Sequence, residues 1–127
     1  MCYAVPMPAF SEKSKARLAT CHPDLQRLFN AVIEKADCTV LCGHRGKEEQ
    51  DEAYANGYSA AKWGQSKHNS LPSLAVDVAP YPVNWSSLKS WRAFAEIVKA
   101  EASRLGIKVV HGGDWKMGDF PHWELSG

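Results

Sequence analysis

The chain lacks any apolar run approaching the ~20 residues that a membrane-spanning helix requires, so no bilayer-inserted segment is expected. It also lacks a basic run: 15 Lys and Arg stand against 14 Asp and Glu, for a formal charge of +1. Tight, phosphate-driven nucleic-acid binding needs clustered cations, and that class is set aside. Only a weak attraction to anionic polymers remains open. The start, Met1-Cys2-Tyr3-Ala4-Val5-Pro6, has no charged segment followed by an apolar stretch of about 7–15 residues. No signal peptide is therefore expected, and synthesis in the cytoplasm is. Repeats and low-complexity linkers are missing too. At 127 residues, with 45% apolar and 23% charged side chains, the chain suits one globular domain over 1–127 and is too short for two ordinary ones.

Cysteine is sparse, at positions 2, 21, 38 and 42. Cys38 and Cys42 flank Thr39-Val40-Leu41, a β-branched stretch that reads as a strand. Strand alternation then places 38, 40 and 42 on one face, where thiols act as small apolar groups. A second zinc site or a disulfide are the alternatives, and a cytoplasmic origin disfavours the disulfide.

What is present is a series of short elements. Ser11 suits the N-cap of a helix over 12–20, and Pro23 the first turn of a second. Leu25, Leu28, Phe29, Val32, Ile33 and Ala36 recur at helical spacing in that second helix, giving it a core-facing stripe. A strand over 38–42 leads through Gly43-His44-Arg45-Gly46 into a third helix. Glu48, Glu49 and Asp51 suit the positive end of its dipole, and Asn56-Gly57 its stop. Residues 58–72 read as irregular. A strand over 74–79 is ended by Pro80 and Pro82. The fourth helix carries Leu88, Trp91, Phe94, Ala95, Val98, Ala102 and Leu105 on one face and stops at Gly106. Strands over 107–110 and 122–125 flank a turn at Gly112-Gly113. Without a regular βαβ rhythm, the expectation is α+β, a small antiparallel sheet packed with about four helices.

The chemistry concentrates in two segments. Ser66-Lys67-His68 is followed by Ala75-Val76-Asp77, and Asp119 precedes His122 by three residues. His68, Asp77 and His122 make a three-ligand set for Zn²⁺, with two imidazoles and one carboxylate. Structural zinc is usually closed by four protein ligands, whereas catalytic zinc keeps a place for water. Asn69, Ser70, Pro72 and Ser73 permit the loop that would bring His68 back to Asp77. Asp119 stands where a general base for that water could act.

These residues carry a family resemblance. Ser66-x-His68, Ala75-x-Asp77 and Asp119-x-x-His122 resemble the pattern of the zinc D-alanyl-D-alanine carboxypeptidase and dipeptidase superfamily. The stretches Cys42 to Gln50, Ser66 to Asn69, Pro72 to Tyr81 and Gly112 to Trp115 resemble its branch of L-alanyl-D-glutamate peptidases used as phage endolysins. The likeness runs from about residue 11 to the C-terminus. It implies a hedgehog/DD-peptidase-like fold, zinc on His68, Asp77 and His122, Asp119 as catalytic base, and Arg45 on the scissile carbonyl oxygen. It also implies a phage or prophage lysis enzyme acting on the peptidoglycan stem peptide. Without a signal peptide, release from the cytoplasm through a membrane pore protein is expected, and a monomer is expected. The alternatives are a D-Ala-D-Ala carboxypeptidase or dipeptidase, and a non-catalytic zinc-stabilised binding module. The gap from His68 to Asp77 is longer than in the carboxypeptidase and dipeptidase branches, which favours the endolysin-like one. Lys116-Met117-Gly118, between Trp115 and Asp119, is short for that branch and would open the cleft or alter which stem peptides fit.

Ser66 and His44 are the candidates for substrate contact, with a hydrogen bond to a ligand as the other role for Ser66 and packing as that for His44. Gln50 is expected to hydrogen-bond internally and help position Arg45. His111 is expected in a strand near the cleft, His22 at a solvated helix start, and Asp114 in a turn bonding backbone N–H groups. Trp85, Trp91, Trp115 and Trp123 are expected in core or cleft wall.

Overall fold

In the computed structural model, which describes residues 8–116 and 118–126, helices begin where the sequence offers an N-cap. Ser11 accepts from the N–H of Ser14 and opens α1 (Glu12–Leu18). His22 Nδ1 accepts from the N–H of Asp24 and opens α2 (Pro23–Ile33), with the proline in its first turn. Both helices stop short of the expected ends at 20 and 36. The N–H groups of Lys35 and Ala36 instead donate to the Val32 carbonyl in a turn. β1 (Cys38–Cys42), α3 (Lys47–Ala55), β2 (Ala75–Pro80), α4 (Leu88–Leu105), β3 (Val109–His111) and β4 (His122–Leu125) follow, with single 3-10 turns at Lys67–Asn69 and Gly112–Asp114. Gly106 ends α4 in the left-handed region at φ 71°, which glycine adopts without a Cβ penalty. Cys2 and the rest of residues 1–7 lie outside the described residues, as does Met117.

The four strands form one antiparallel sheet in the order β1-β2-β4-β3, and with four helices the architecture is the α+β one expected. One face carries Val40, Val76, Val78 and Trp123, all buried against Leu25, Leu28, Phe29 and Val32 of α2 and Phe94 and Val98 of α4. The outer edge of β1 is covered by α1. Ser14 Oγ accepts from the Val40 N–H and Arg17 donates to the Val40 carbonyl, both at 3.0 Å, satisfying groups that an open edge would expose.

Register decides what the other face holds. Strict alternation would group Cys42 with Cys38 and Val40, and the pairing corrects this. Val40 lies opposite Val78, but Cys42 lies opposite Asp77, so the register slips by one residue between them. Opposed residues of an antiparallel pair share a face, and the extra residue of this bulge turns Cys42 away from the core. On its other side Asp77 lies opposite His122, and Ala75 opposite Glu124. Three neighbouring strands thus set Cys42, Asp77 and His122 in one row on the face away from the core, with Glu124 beside it.

Candidate metal centre

His68 reaches this row from the loop above it. Ser66 Oγ accepts from the His68 N–H at 3.1 Å, and Asn69 Oδ1 accepts from the N–H groups of Gly64 and Ser66 at 2.9 and 3.3 Å. The Arg45 N–H ties the turn down by donating to the His68 carbonyl at 2.7 Å. Within the ring, Nδ1 lies 2.8 Å from the Gly43 carbonyl and Nε2 lies 3.2 Å from Asp77 Oδ1. A carbonyl only accepts, so Nδ1 carries the proton and Nε2 is the nitrogen left for the site. Gly43 must lack a side chain to bring its carbonyl here. A Cβ would stand 2.3 Å from the Arg17 carbonyl oxygen and 2.4 Å from Thr20 Oγ1.

His122 approaches Asp77 from the opposite side, with Nδ1 at 3.3 Å from the same Oδ1. Its outer nitrogen, Nε2, donates to Glu124 Oε1 at 2.8 Å, and Lys67 Nζ holds the other oxygen of Glu124 at 3.2 Å. Lys67 also donates to the Leu125 carbonyl. One ion pair therefore joins the residue beside His68 to the strand of His122. Sequence reasoning passes over Lys67 and Glu124. The signal was the His-x-Glu spacing on a strand, which sends both side chains to one face.

The electrostatics favour positive charge around Asp77. Burial alone would raise its pKa, but the hydrogen bonds from His122 and His68 outweigh that and hold the carboxyl far below the usual range. Burial would make His68 less basic, yet its bonds to Asp77 and Cys42 push the imidazole up to about 10. His122 is raised against the same desolvation by Asp77 and Glu124. The donor set fits a zinc ion. Each imidazole has its outer nitrogen fixed on an oxygen acceptor, as metal-ligating histidines usually do, leaving the inner nitrogen beside a carboxylate. Cys42, His68 and Asp77 each bring a ligand atom within 4.8 Å of the others.

Arg45 lies at the rim, its guanidinium 3.7 Å from Asp77 Oδ2. Gln50, fully buried, accepts from Arg45 at 3.0 Å and donates to Ser59 Oγ and the Ala61 carbonyl at 3.1 and 2.6 Å. Asn69 donates to both Gln50 Oε1 and the Arg45 carbonyl at 3.1 Å. Gln50 thus fixes the direction of the guanidinium, as its place in the sequence suggested.

Asp119 is held by a tight turn in which the Gly112 carbonyl accepts from the N–H groups of Trp115 and Asp119 at 3.1 and 2.8 Å. A Cβ on Gly112 would sit 2.5 Å from the Asp119 carbonyl oxygen, so only glycine lets this loop lie flat. Burial and the nearby charge of Asp77 raise the Asp119 pKa, opposed by His122, His68 and Arg45. The Trp115 ring, 42% exposed, lies 5.0 Å from that of His122 and walls the site.

The remaining candidates stand apart from this row. His44 Nδ1 lies 2.9 Å from the Ser70 carbonyl, and Ser66 acts through the His68 backbone. His111 is buried, stacked 4.0 Å from Trp123, and donates to the Phe120 carbonyl at 2.8 Å, bracing the loop that carries Asp119. Asp114 pairs with Lys99 at 2.9 Å, and among the described residues no backbone N–H of its turn donates to it. Trp91 and Trp123 are buried, whereas Trp85 is exposed and stacked on Trp91.

Comparison with known proteins extends the resemblance. The sequence matches the family described as phage L-alanyl-D-glutamate peptidase over residues 7–125. It is 31% identical over 122 residues to the L-alanyl-D-glutamate peptidase of Escherichia phage T5, covering 92% of this chain and 88% of that protein. The crystal structure of the Serratia marcescens L-Ala D-Glu endopeptidase ChiX superposes with a TM-score of 0.79 at 30% identity, over 93% of this chain and 90% of that one. The fold is shared with the vancomycin resistance D,D-pentapeptidase VanY, solved in complex with Zn(II), at a TM-score of 0.53 and 21% identity over 87% and 71% of the two chains. The chain is a peptidase and belongs to the phage L-alanyl-D-glutamate peptidase family.

Proposed function

We propose that residues 1–127 act as one zinc peptidase domain that cuts the L-alanyl-D-glutamate bond of peptidoglycan stem peptides, with His68, Asp77 and His122 as metal ligands. One observation carries the reading. Two imidazoles with locked outer nitrogens converge on one carboxylate, with a second, exposed carboxylate, Asp119, close enough to feel its charge and a braced guanidinium at the rim. When bound, zinc supplies Lewis acidity, polarising a carbonyl and lowering the pKa of water toward ~7.

The protein's own groups do the rest. Asp119 takes the proton of the attacking water and returns it to the leaving D-glutamate amine, and its raised pKa brings it closer to the working range of a base. Arg45 donates to the carbonyl oxygen as negative charge develops there, an effect often worth about 3 kcal/mol. Because Gln50 holds the guanidinium in advance, little reorganisation is needed at that moment. Trp115 walls the cleft, His44 offers its second ring nitrogen to the peptide, and Ser66 keeps His68 in place. The enzyme is made in the host cytoplasm, works as a monomer and reaches the wall after release.

Incubating a defined muropeptide with the protein and analysing the products by mass spectrometry tests this. The expected result is a new D-glutamate amino terminus that disappears with chelator and returns with zinc. Asp119→Asn should retain zinc while the rate falls by about 10²–10⁴. Release of D-alanine alone, or cleavage indifferent to chelator, would refute the assignment.

A further inference from the structure

We propose that Cys42 is a further donor to the ion held at this centre, giving the site a sulfur side that favours thiophilic metals. The inference rests on the zinc reading above and concerns a residue outside its ligand set. The bulge in β1 is what places the thiol: without the slip after Val40, Cys42 would oppose Val76 on the core face instead of Asp77. Its Sγ lies within 4.8 Å of ligand atoms of both His68 and Asp77. Asp77 thus has a potential donor on each neighbouring strand, His122 from β4 and Cys42 from β1.

The other described cysteines behave differently. Cys21 and Cys38 are buried against the apolar core, whereas Cys42 is half-buried at the site. Besides its contact with His68 itself, its hydrogen bonds are weak, 3.5 Å to the Gly43 carbonyl and 3.9 Å from the Arg45 guanidinium, so little outside the site holds the sulfur from turning to a cation. Ligation would release the thiol proton to solvent and form one metal–sulfur bond. Sulfur favours softer ions such as Cd²⁺ and Cu⁺ over the nitrogen and oxygen preference of the other three residues. The thiol also competes for the place that a catalytic centre keeps open, making metal choice depend on one side chain.

The test is an anaerobic Co²⁺ titration of the metal-free protein, read by absorption. The wild type should give visible d–d bands and a near-ultraviolet sulfur-to-cobalt charge-transfer band. Cys42→Ser should keep the d–d bands and lose the charge-transfer band. It should also lose affinity for Cd²⁺ by about tenfold more than for Zn²⁺. Wild-type d–d bands without charge transfer, or a Cys42→Ser spectrum matching the wild type, would overturn the role of Cys42 and leave the three-ligand reading intact. No cobalt spectrum at all in the wild type would overturn both.

Discussion

On one face of the sheet, Val40, Val76, Val78 and Trp123 are sealed against α2 and α4; on the other, Cys42, Asp77, His122 and Glu124 carry charge and atoms able to hold a metal ion. The same strands supply both, through alternation and one bulge. The apolar face gains from burial, at roughly 25 cal/mol for each Å² removed from water. The polar face gains little of that kind. Its central carboxylate is tolerated because two imidazoles and a guanidinium surround it, and removing one partner of such a cluster leaves a charge uncompensated. Stability should therefore reside mainly on one face and chemistry on the other, and substitutions on each should separate the two.

The largest effect on folding is expected at Trp123→Ala. The indole is fully buried, edge-on to Phe29 at 6.4 Å and stacked on His111. Its loss should cost about 3–5 kcal/mol, seen as a lower urea midpoint, with metal lost only as the protein unfolds.

A smaller and different effect is expected at Glu124→Gln. The amide keeps the shape but gives up the charge that orients His122 and pairs with Lys67. Zinc affinity should fall about 10–100-fold in competition with a chromogenic chelator, while the urea midpoint of the metal-free protein moves little. An equal loss of folding stability would mean that the polar face is structural after all.

Much of this division could be read from the chain, and what could not was long-range. Periodicity located α4 and its Gly106 stop, and composition located the strands over 38–42 and 122–125, because those signals are local. The spacing of Asp119 and His122 and the loop between His68 and Asp77 pointed to residues that the fold gathers around one carboxylate. Gln50 was legible as the brace of Arg45. The bulge was not, since one slipped residue depends on how β1 meets β2, and so Cys42 was expected among core thiols. Asp114 was expected to bond its own turn, and among the described residues its partner is Lys99, which arrives from α4. Nothing near Asp114 in sequence announces that contact.

An effect seen only at high pH concerns the thiols of the apolar side. Burial pushes both Cys21 and Cys38 from 9.0 up to about 12. The folded state thus keeps protons that the unfolded chain releases. The stability this contributes is complete below about pH 9 and is lost as pH climbs toward 12. Each thiol accounts for at most about 1.4 kcal/mol per pH unit in that window. Denaturant midpoints measured from pH 8 to 11 should fall, and fall less in Cys38→Ala relative to its own value at pH 8.

Asp77→Asn separates the two faces within one strand, because it removes the carboxylate shared by His68 and His122 while Val76 and Val78 stay in the core. Zinc per chain, measured by native mass spectrometry alongside a thermal melt, should drop from one ion in the wild type to none in the variant, with a cooperative melt retained. A variant that keeps its zinc at wild-type affinity would contradict the assignment of this row as the metal centre.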